Sequence, residues 1–235
     1  RAEAEILMNV QHHIISPKNG LNIIGCIEDA ITGNYLLTKG MKFSKENAVN
    51  ILLSIGVEDY EKIAKFTKEV DGKQIFSVLL PEDFDFIGKS KDGNPVIIKK
   101  GKLIEGVIDQ ATIGEENGAL IRAIYSKYKE EFGIEFLWKI FSLGIATLLN
   151  IGFTTTIADT DLTQKIKEKC EETIQEAEEA TKKYIYQFNS GTLTAAHGMS
   201  VKETLEMKIL ELLNKARNKV GRIIAEIADK NNSTI

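Results

Sequence analysis

The chain is short of cysteine, histidine and proline, with two, three and three in 235 residues, and it has no excess of positive charge. Cys26 and Cys170 stand far apart and in no metal-ligand spacing, so free thiols in the reducing cytoplasm are the expectation. A formal net charge of -4 and a pI near 5.6 argue against a dedicated DNA-binding module, which is ordinarily basic. They leave room for an acidic part of a nucleic-acid machine whose basic surfaces lie elsewhere. No apolar run approaches the roughly 18 residues of a membrane span. The longest, 136–151, is broken by Lys139, Ser142 and Gly144, so no membrane partner is expected. The opening five residues read as charged and helical rather than as a signal peptide. With no initiating methionine and an abrupt close at Ile235, both ends are expected to be cuts inside a longer polypeptide.

Familiar catalytic signatures are missing as well. The chain has no Gly-x-x-x-x-Gly-Lys-Ser/Thr loop, no dinucleotide fingerprint and no Gly-x-Ser-x-Gly elbow. His12 and His13 are adjacent, about 100° apart on a helix, and cannot clamp one metal as an i, i+4 pair would. They are read as packing or surface residues. Asp159 and Asp161 form an Asp-x-Asp that could hold a divalent cation. The simpler reading is that Asp159 or Thr160 caps a helix starting near Leu162. Glu28 and Asp29 carry the same ambiguity, again resolved toward a cap. The acidic run 168–179 reads as a solvated helix face.

What is present points to an α+β fold. Residues 2–13 fit one amphipathic helix, with Ile6, Leu7, Val10 and Ile14 on one side, stopped at Ser16-Pro17. A short helix over 29–37 carries Gly33. Ser44 is placed to cap a helix over 45–54, with Val49, Leu52 and Leu53 facing inward, and 60–66 is a further short helix. Strand-like runs follow at 74–80, 95–99 and 102–108, the last two flanking the hairpin signal Lys100-Gly101. Two more helices are expected at 117–131, ended by Gly133, and at 134–150, apolar all round and therefore buried. In the last third, Leu162, Ile166, Cys170, Ile174, Ala177, Tyr184 and Phe188 recur at mostly three, four or seven residues. So do Leu205, Ile209, Leu212, Ala216, Val220, Ile223 and Ile227. Two helices of roughly 28 residues, each about 40 Å long, joined through 189–200, predict an antiparallel hairpin. Its first arm holds eight acidic and five basic residues over 159–190, its second five and seven over 197–235. Opposite biases favour their pairing. On residues alone, this is a soluble α+β protein with a projecting helical hairpin and no visible catalytic centre.

Four stretches carry a family resemblance over essentially the whole chain. The first is Arg1-Ala2-Glu3-Ala4-Glu5-Ile6-Leu7-Met8 with His13-Ile14-Ile15-Ser16-Pro17. The second is Ile23-Ile24-Gly25-Cys26-Ile27-Glu28-Asp29 with Gly33-Asn34-Tyr35-Leu36-Leu37-Thr38. The third is Gly101-Lys102-Leu103-Ile104-Glu105-Gly106-Val107 with the run from Gly114 to Leu120. The fourth is Gly152-Phe153-Thr154, Leu193-Thr194-Ala195-Ala196-His197-Gly198-Met199 and Leu213-Asn214-Lys215-Ala216-Arg217. In that order they resemble the largest subunit of multisubunit DNA-directed RNA polymerases, archaeal A′ type. The matching portion follows the family's magnesium-binding Asn-Ala-Asp-Phe-Asp-Gly-Asp motif and runs through its pore and funnel.

The resemblance implies a part of a nucleotidyltransferase engaged in transcription, inactive by itself. Mg2+ would serve the whole enzyme through ligands upstream of Arg1, with none in this segment. Residues 1–40 would form the edge of the active-site region, 41–133 the pore subdomain and 134–235 the funnel. Together these would form the secondary channel, through which nucleoside triphosphates enter and backtracked RNA is extruded. The implied partners are other polymerase subunits, the DNA template, nascent RNA, nucleoside triphosphates and a transcript-cleavage factor. Lys202 matches a position where the family often has arginine facing the channel, and His197 matches the family's histidine; Asp29 and Gln110 complete the implied channel lining. The plainer alternatives are that Lys202 is an exposed first-turn residue and that His197 bonds the link's backbone. Two departures stand out: Asp109-Gln110-Ala111 where some relatives carry basic residues, and Glu28 where glutamine is commoner. Rival readings are a stand-alone interaction module that docks partners on the hairpin and a small hydrolase using Asp159, Asp161 and His197.

Overall fold

The computed structural model describes residues 1–157 and 161–227, and the chain divides into two compact units between Phe153 and Thr154. The fold is α+β, as the patterning predicts.

The first unit is built on a crossing of two helices, α2 (Glu28–Thr38) and α7 (Ala119–Ile151). Gly33 and Gly144 let their backbones meet: a Cβ on Gly33 would overlap the Gly144 carbonyl, and one on Gly144 would overlap that of Ala30. Asn34 fastens the contact. Its buried amide nitrogen donates to the carbonyls of Ala30 and Ile140, both at 2.8 Å. One turn later the Thr38 hydroxyl donates to Asn34 O and accepts the Ile108 N–H at 2.9 Å. Phe76, Phe84, Phe136, Leu37, Ile51 and Ile98 fill the core around this crossing.

Around it lie short elements. Strand β1 (Lys42–Ser44) pairs antiparallel with β2 (Glu69–Asp71). Ser44 caps α3 (Lys45–Ser54) by accepting the Asn47 N–H at 3.3 Å. α3 turns Ala48, Ile51 and Leu52 inward, while Leu53, expected inside, is 45% exposed. Asp59 caps α4 (Tyr60–Ala64). Strands β3 (Phe86–Lys89), β4 (Pro95–Lys99) and β5 (Lys102–Glu105) form an antiparallel sheet in sequence order. Lys100 and Gly101 turn β4 into β5 with φ of 49° and 66°, the geometry of a two-residue hairpin loop. α6 (Gln110–Ile113) leads into α7.

Four sequence expectations need correction. The single helix over 2–13 is instead α1 (Ala2–Leu7) and a 3-10 turn (Val10–His13), separated at Asn9, whose backbone is extended. Neither piece buries a side chain, and short helices without a packed face are marginal. The strand expected at 74–80 is the helix α5 (Gly72–Val78), because Asp71 and Gln74 make a reciprocal capping box that local β-propensity does not register. Ile27, not a carboxylate, occupies the N-cap of α2. Glu28 and Asp29 lie in its first turn, where negative charge suits the helix dipole.

The fourth correction is the largest. The helices expected on either side of Gly133 are one helix of 33 residues, and residues 133 and 134 are consecutive within it. An internal glycine costs about 1 kcal/mol. Phe136, Ile140 and Leu143, all buried just beyond it, each contribute about 1.5–3 kcal/mol, so packing overrides the break. The second half is not buried all round: Trp138 is 64% and Leu149 82% exposed. By length and composition Glu130–Ile151, with mean hydropathy 1.6, could cross a membrane, despite Lys139, Ser142 and Gly144. In this fold the same stretch packs Phe136, Ile140 and Leu143 into the core.

The second unit is a hairpin of α8 (Gln164–Asn189) and α9, described over Val201–Ile227. Two cross-arm contacts establish antiparallel pairing: Lys219 with Glu176 at 3.0 Å, and Lys208 Nζ 5.5 Å from the Tyr184 ring centre. Ile166, Cys170, Thr173 and Ala177 are the buried stripe of α8, and Leu205, Ile209, Leu212, Ala216, Val220 and Ile223 are half-buried positions along α9. α8 begins at Gln164 rather than near Leu162, with Thr163 at its N-cap. The cap read at Asp159, and Thr160 with it, lies outside the described residues. Asp161 pairs with Lys167 at 2.8 Å, which holds its carboxyl below the usual carboxylate range.

Candidate functional site

In the first unit, the expected site residues flank a loop junction held by Asn22. Its buried amide nitrogen donates to Gly114 O at 2.8 Å and to Ile24 O at 3.1 Å. Gly25 lies so close to Gly114 that no side chain fits between them. Beside it the Cys26 N–H donates to Ile113 O at 2.8 Å. These bonds tie the start of α2 to the end of α6. Asp29, in the first turn of α2, and Gln110, the first residue of α6, are both exposed on either side of the junction. Glu28, the first residue of α2, and Glu116, in the loop after α6, have φ of 44° and 61°, a conformation non-glycine residues adopt at some cost.

Burial pushes the Cys26 thiol up to about 12 from an ordinary 9.0. The folded state therefore disfavours the thiolate, and the stability this contributes is full below pH about 9 and lost as pH climbs toward 12. We expect native Cys26 to resist iodoacetamide at pH 8, and a Cys26→Ala variant to lose less stability than the native chain between pH 9 and 11. Rapid alkylation of the folded chain at Cys26 would contradict this burial.

Asp109 explains one departure noted in the sequence. It is 8% exposed and caps α6, one carboxylate oxygen accepting the Thr112 N–H while its own N–H donates to Thr112 Oγ1. The other oxygen accepts the Lys91 N–H at 2.6 Å, fastening the β3–β4 turn. A basic residue could accept none of these bonds.

In the second unit, His197 in the link and Lys202 in the first turn of α9 are both exposed. The link is held by other residues. Thr204, fully buried, accepts the Ala196 N–H at 2.9 Å and donates to Ser200 O. Ser200 and Glu203 form a capping box at the head of α9, the Glu203 carboxylate accepting the Ser200 N–H at 2.7 Å and the Ser200 hydroxyl accepting the Glu203 N–H. That acceptance holds the Glu203 carboxyl below its usual range. The backbone role considered for His197 thus falls to Thr204. The Ser-x-x-Glu pattern at 200–203 was a legible signal for the cap; Thr204 had none. Further along α8, Lys182, Lys183, Tyr186 and Gln187 line an open surface cleft of about 540 Å³.

The four expected lining residues therefore fall into two pairs, one on each unit. His12 pairs with Glu130 at 2.6 Å and His13 contacts Leu7 O at 2.8 Å, which fits their surface reading. Among the described residues no three His, Cys, Asp or Glu side chains gather as a metal site.

The family described as RNA polymerase Rpb1, domain 3 matches residues 13–160, well over half of the chain. The chain belongs to this family. It is also similar along nearly its full length to curated archaeal proteins named DNA-directed RNA polymerase subunit Rpo1N. It is 34% identical over 240 residues to that of Halobacterium salinarum, covering 100% of this chain and 25% of the relative. With that of Methanothermobacter thermautotrophicus it shares 35% over 244 residues, 97% of this chain and 28% of the relative. With that of Methanocaldococcus jannaschii it shares 36% over 241 residues, 95% and 18%. The chain thus spans about a quarter or less of these relatives' length. The Rpb1 domain 3 match takes in the α2–α7 crossing, both sheets and the Asn22 junction. Of the hairpin it stops short, and there the relationship rests on the full-length relatives.

Proposed function

We propose that this chain is the pore and funnel segment of the largest subunit of an archaeal-type DNA-directed RNA polymerase. Residues 1–40 form the edge of the active-site region, 41–133 the pore and 134–235 the funnel, with α7 running through the last two. The segment lines a secondary channel that admits nucleoside triphosphates, receives backtracked RNA and gives a transcript-cleavage factor its route inward. The whole enzyme works in the cytoplasm on a DNA template with the other polymerase subunits, and uses Mg2+ held by residues upstream of Arg1. The observation that carries this reading is relatedness to archaeal polymerase subunits along the entire chain, junction and hairpin alike.

The chemistry asked of such a wall is modest. Polyanions pass through it, so scattered exposed cations favour entry, while a dense basic patch would hold product and stall exit. His197, exposed on a link held by the buried Thr204, and Lys202, exposed in the first turn of α9, suit that task. Asp29 and Gln110 supply polar, non-cationic lining at the junction.

Lys202→Glu in the assembled polymerase is expected to slow factor-stimulated cleavage of backtracked RNA about three- to tenfold, with Lys202→Arg near the native rate. Because Lys202 is exposed, neither change should disturb folding. Cleavage and elongation unchanged by Lys202→Glu would remove the assignment.

A further inference from the structure

Helix α9 carries two rows of side chains at helical spacing. Leu205, Ile209, Leu212, Ala216 and Ile223 are the half-buried row. A second row, Glu206, Leu210, Leu213, Arg217 and Ile224, recurs at four, three, four and seven residues, the spacing of a helix–helix seam. It lies about 100° round the axis from the first. Leu210 is 54% and Leu213 48% exposed, and Glu206 and Arg217 are exposed as well. Lys208 and Lys219, which reach across to Tyr184 and Glu176, project from the other side of the half-buried row. The second row therefore runs along the flank of the hairpin that these two cross-arm contacts leave open. By the same periodicity Ile174 and Ile185 of α8, 49% and 42% exposed, fall on that flank. So do Glu171 and Glu178, the latter level with Arg217 in the register that Glu176 and Lys219 define. On α9, Glu211 pairs with Lys215 and Lys219 with Glu176, whereas among the described residues Glu206 and Arg217 have no ion-pair partner.

We propose that this row docks on the same row of a second copy of the chain, the two α9 helices running antiparallel. The order of residues selects the occupant. Turned end for end about a point between Glu211 and Leu212, the row is its own complement. Leu210 then meets Leu213 of the second copy, Glu206 meets its Arg217, and two-fold symmetry repeats both contacts. A parallel copy would instead set Glu206 on Glu206 and Arg217 on Arg217, which like charges disfavour. Nucleic acid would meet the carboxylates of Glu171, Glu178 and Glu206 with its own negative charge. Two exposed leucines per copy make a small interface, so the association is weak and reversible. The proposal rests on the hairpin and goes beyond the channel reading without depending on it.

The test is the oligomeric state of the assembled polymerase, followed by sedimentation across a concentration series. A monomer–dimer equilibrium is expected. Glu206→Arg and Arg217→Glu should each raise its dissociation constant at least about tenfold, because symmetry makes each reversal act at two contacts. Combining Glu206→Arg with Arg217→Glu should bring it back to within about threefold of the native value, since opposite charges meet again. Lys215→Glu, on the same helix but off the row, is the control and should leave the equilibrium unchanged. All three positions are exposed, so these changes should not disturb folding. The absence of a dimer would overturn the proposal. So would a dimer indifferent to the single reversals, one that the double exchange fails to restore, or one that Lys215→Glu weakens as much as Arg217→Glu does. If the charge exchange behaves as expected while Lys202→Glu is silent, this interface stands and the channel assignment falls.

Discussion

Replacing Gly33 with valine is expected to unfold the first unit. At an exposed helical position, exchanging glycine for a residue with a side chain usually helps: alanine gains about 0.5–1 kcal/mol through the unfolded chain's lost freedom. At Gly33 the sign reverses. The obstacle is the backbone carbonyl of Gly144, not a flexible side chain that can swing aside. To fit even one methyl, α2 and α7 must separate. Separation breaks the Asn34 bonds to Ala30 and Ile140 and loosens the packing of Phe136 and Leu37. A cost above about 4 kcal/mol is expected, against a total stability of about 5–15 kcal/mol for an ordinary domain. Gly221 is the control. It lies inside α9 with nothing near its added Cβ, so Gly221→Ala should stabilise by up to about 1 kcal/mol. Trp138, the only tryptophan, sits on α7 and reports the first unit separately in a urea titration followed by fluorescence. Equal midpoints for the native chain and Gly33→Val would show that the crossing is looser than described.

Asp109→Lys is expected to cost at least about 3 kcal/mol, while Gln110→Lys next to it stays within about 0.5 kcal/mol. The two residues are neighbours in sequence but differ in environment. Asp109 is buried and accepts backbone N–H groups from Thr112 and Lys91. Lysine there would leave both N–H groups unpaired and bury a charge with no partner. Gln110 points to solvent, so it tolerates the basic residue. The acidic residue at 109 is thus a structural acceptor, and position 110 is where a cation could return without penalty. The same urea titration checks both variants. A neutral Asp109→Lys would refute the structural role.

Much of the fold could be read in advance because its signals are local. Ser44 before a periodic run, Lys100-Gly101 between two strand patterns, and the apolar repeats of α8 and α9 each specify their element within a few residues. The failures are places where distant contacts decide. Gly133 is a helix breaker by propensity, yet side chains on both sides of it bury in the same core. Residues 74–78 favour a strand by composition, yet the Asp71–Gln74 capping box starts a helix. The α2–α7 crossing left only two isolated glycines, Gly33 and Gly144, and Asn34 in the sequence, with nothing to indicate that they touch.

For the site, legibility was lower. The family resemblance rested on ordered stretches of residues, and relatives along the full chain bear it out. Individual roles are another matter. Asp29, Gln110, His197 and Lys202 were named by matching positions, and their shared property in the fold is exposure. The residues that build the site's frame, Asn22, Asp109 and Thr204, are buried polar groups. Their work depends on partners up to 92 residues away, as with Asn22 and Gly114.

The central proposal, that these residues line the route to and from the active site, is tested most directly by an RNA whose 3′ end carries 4-thiouridine. Polymerase bearing this RNA is stalled, backtracked in single-nucleotide steps and irradiated, and the adducts are mapped to peptides. The expected result is adducts on peptides of this chain, at the junction around Gln110 or at the end of the hairpin that carries His197 and Lys202. Adducts confined to other parts of the enzyme at every backtracked position would contradict it.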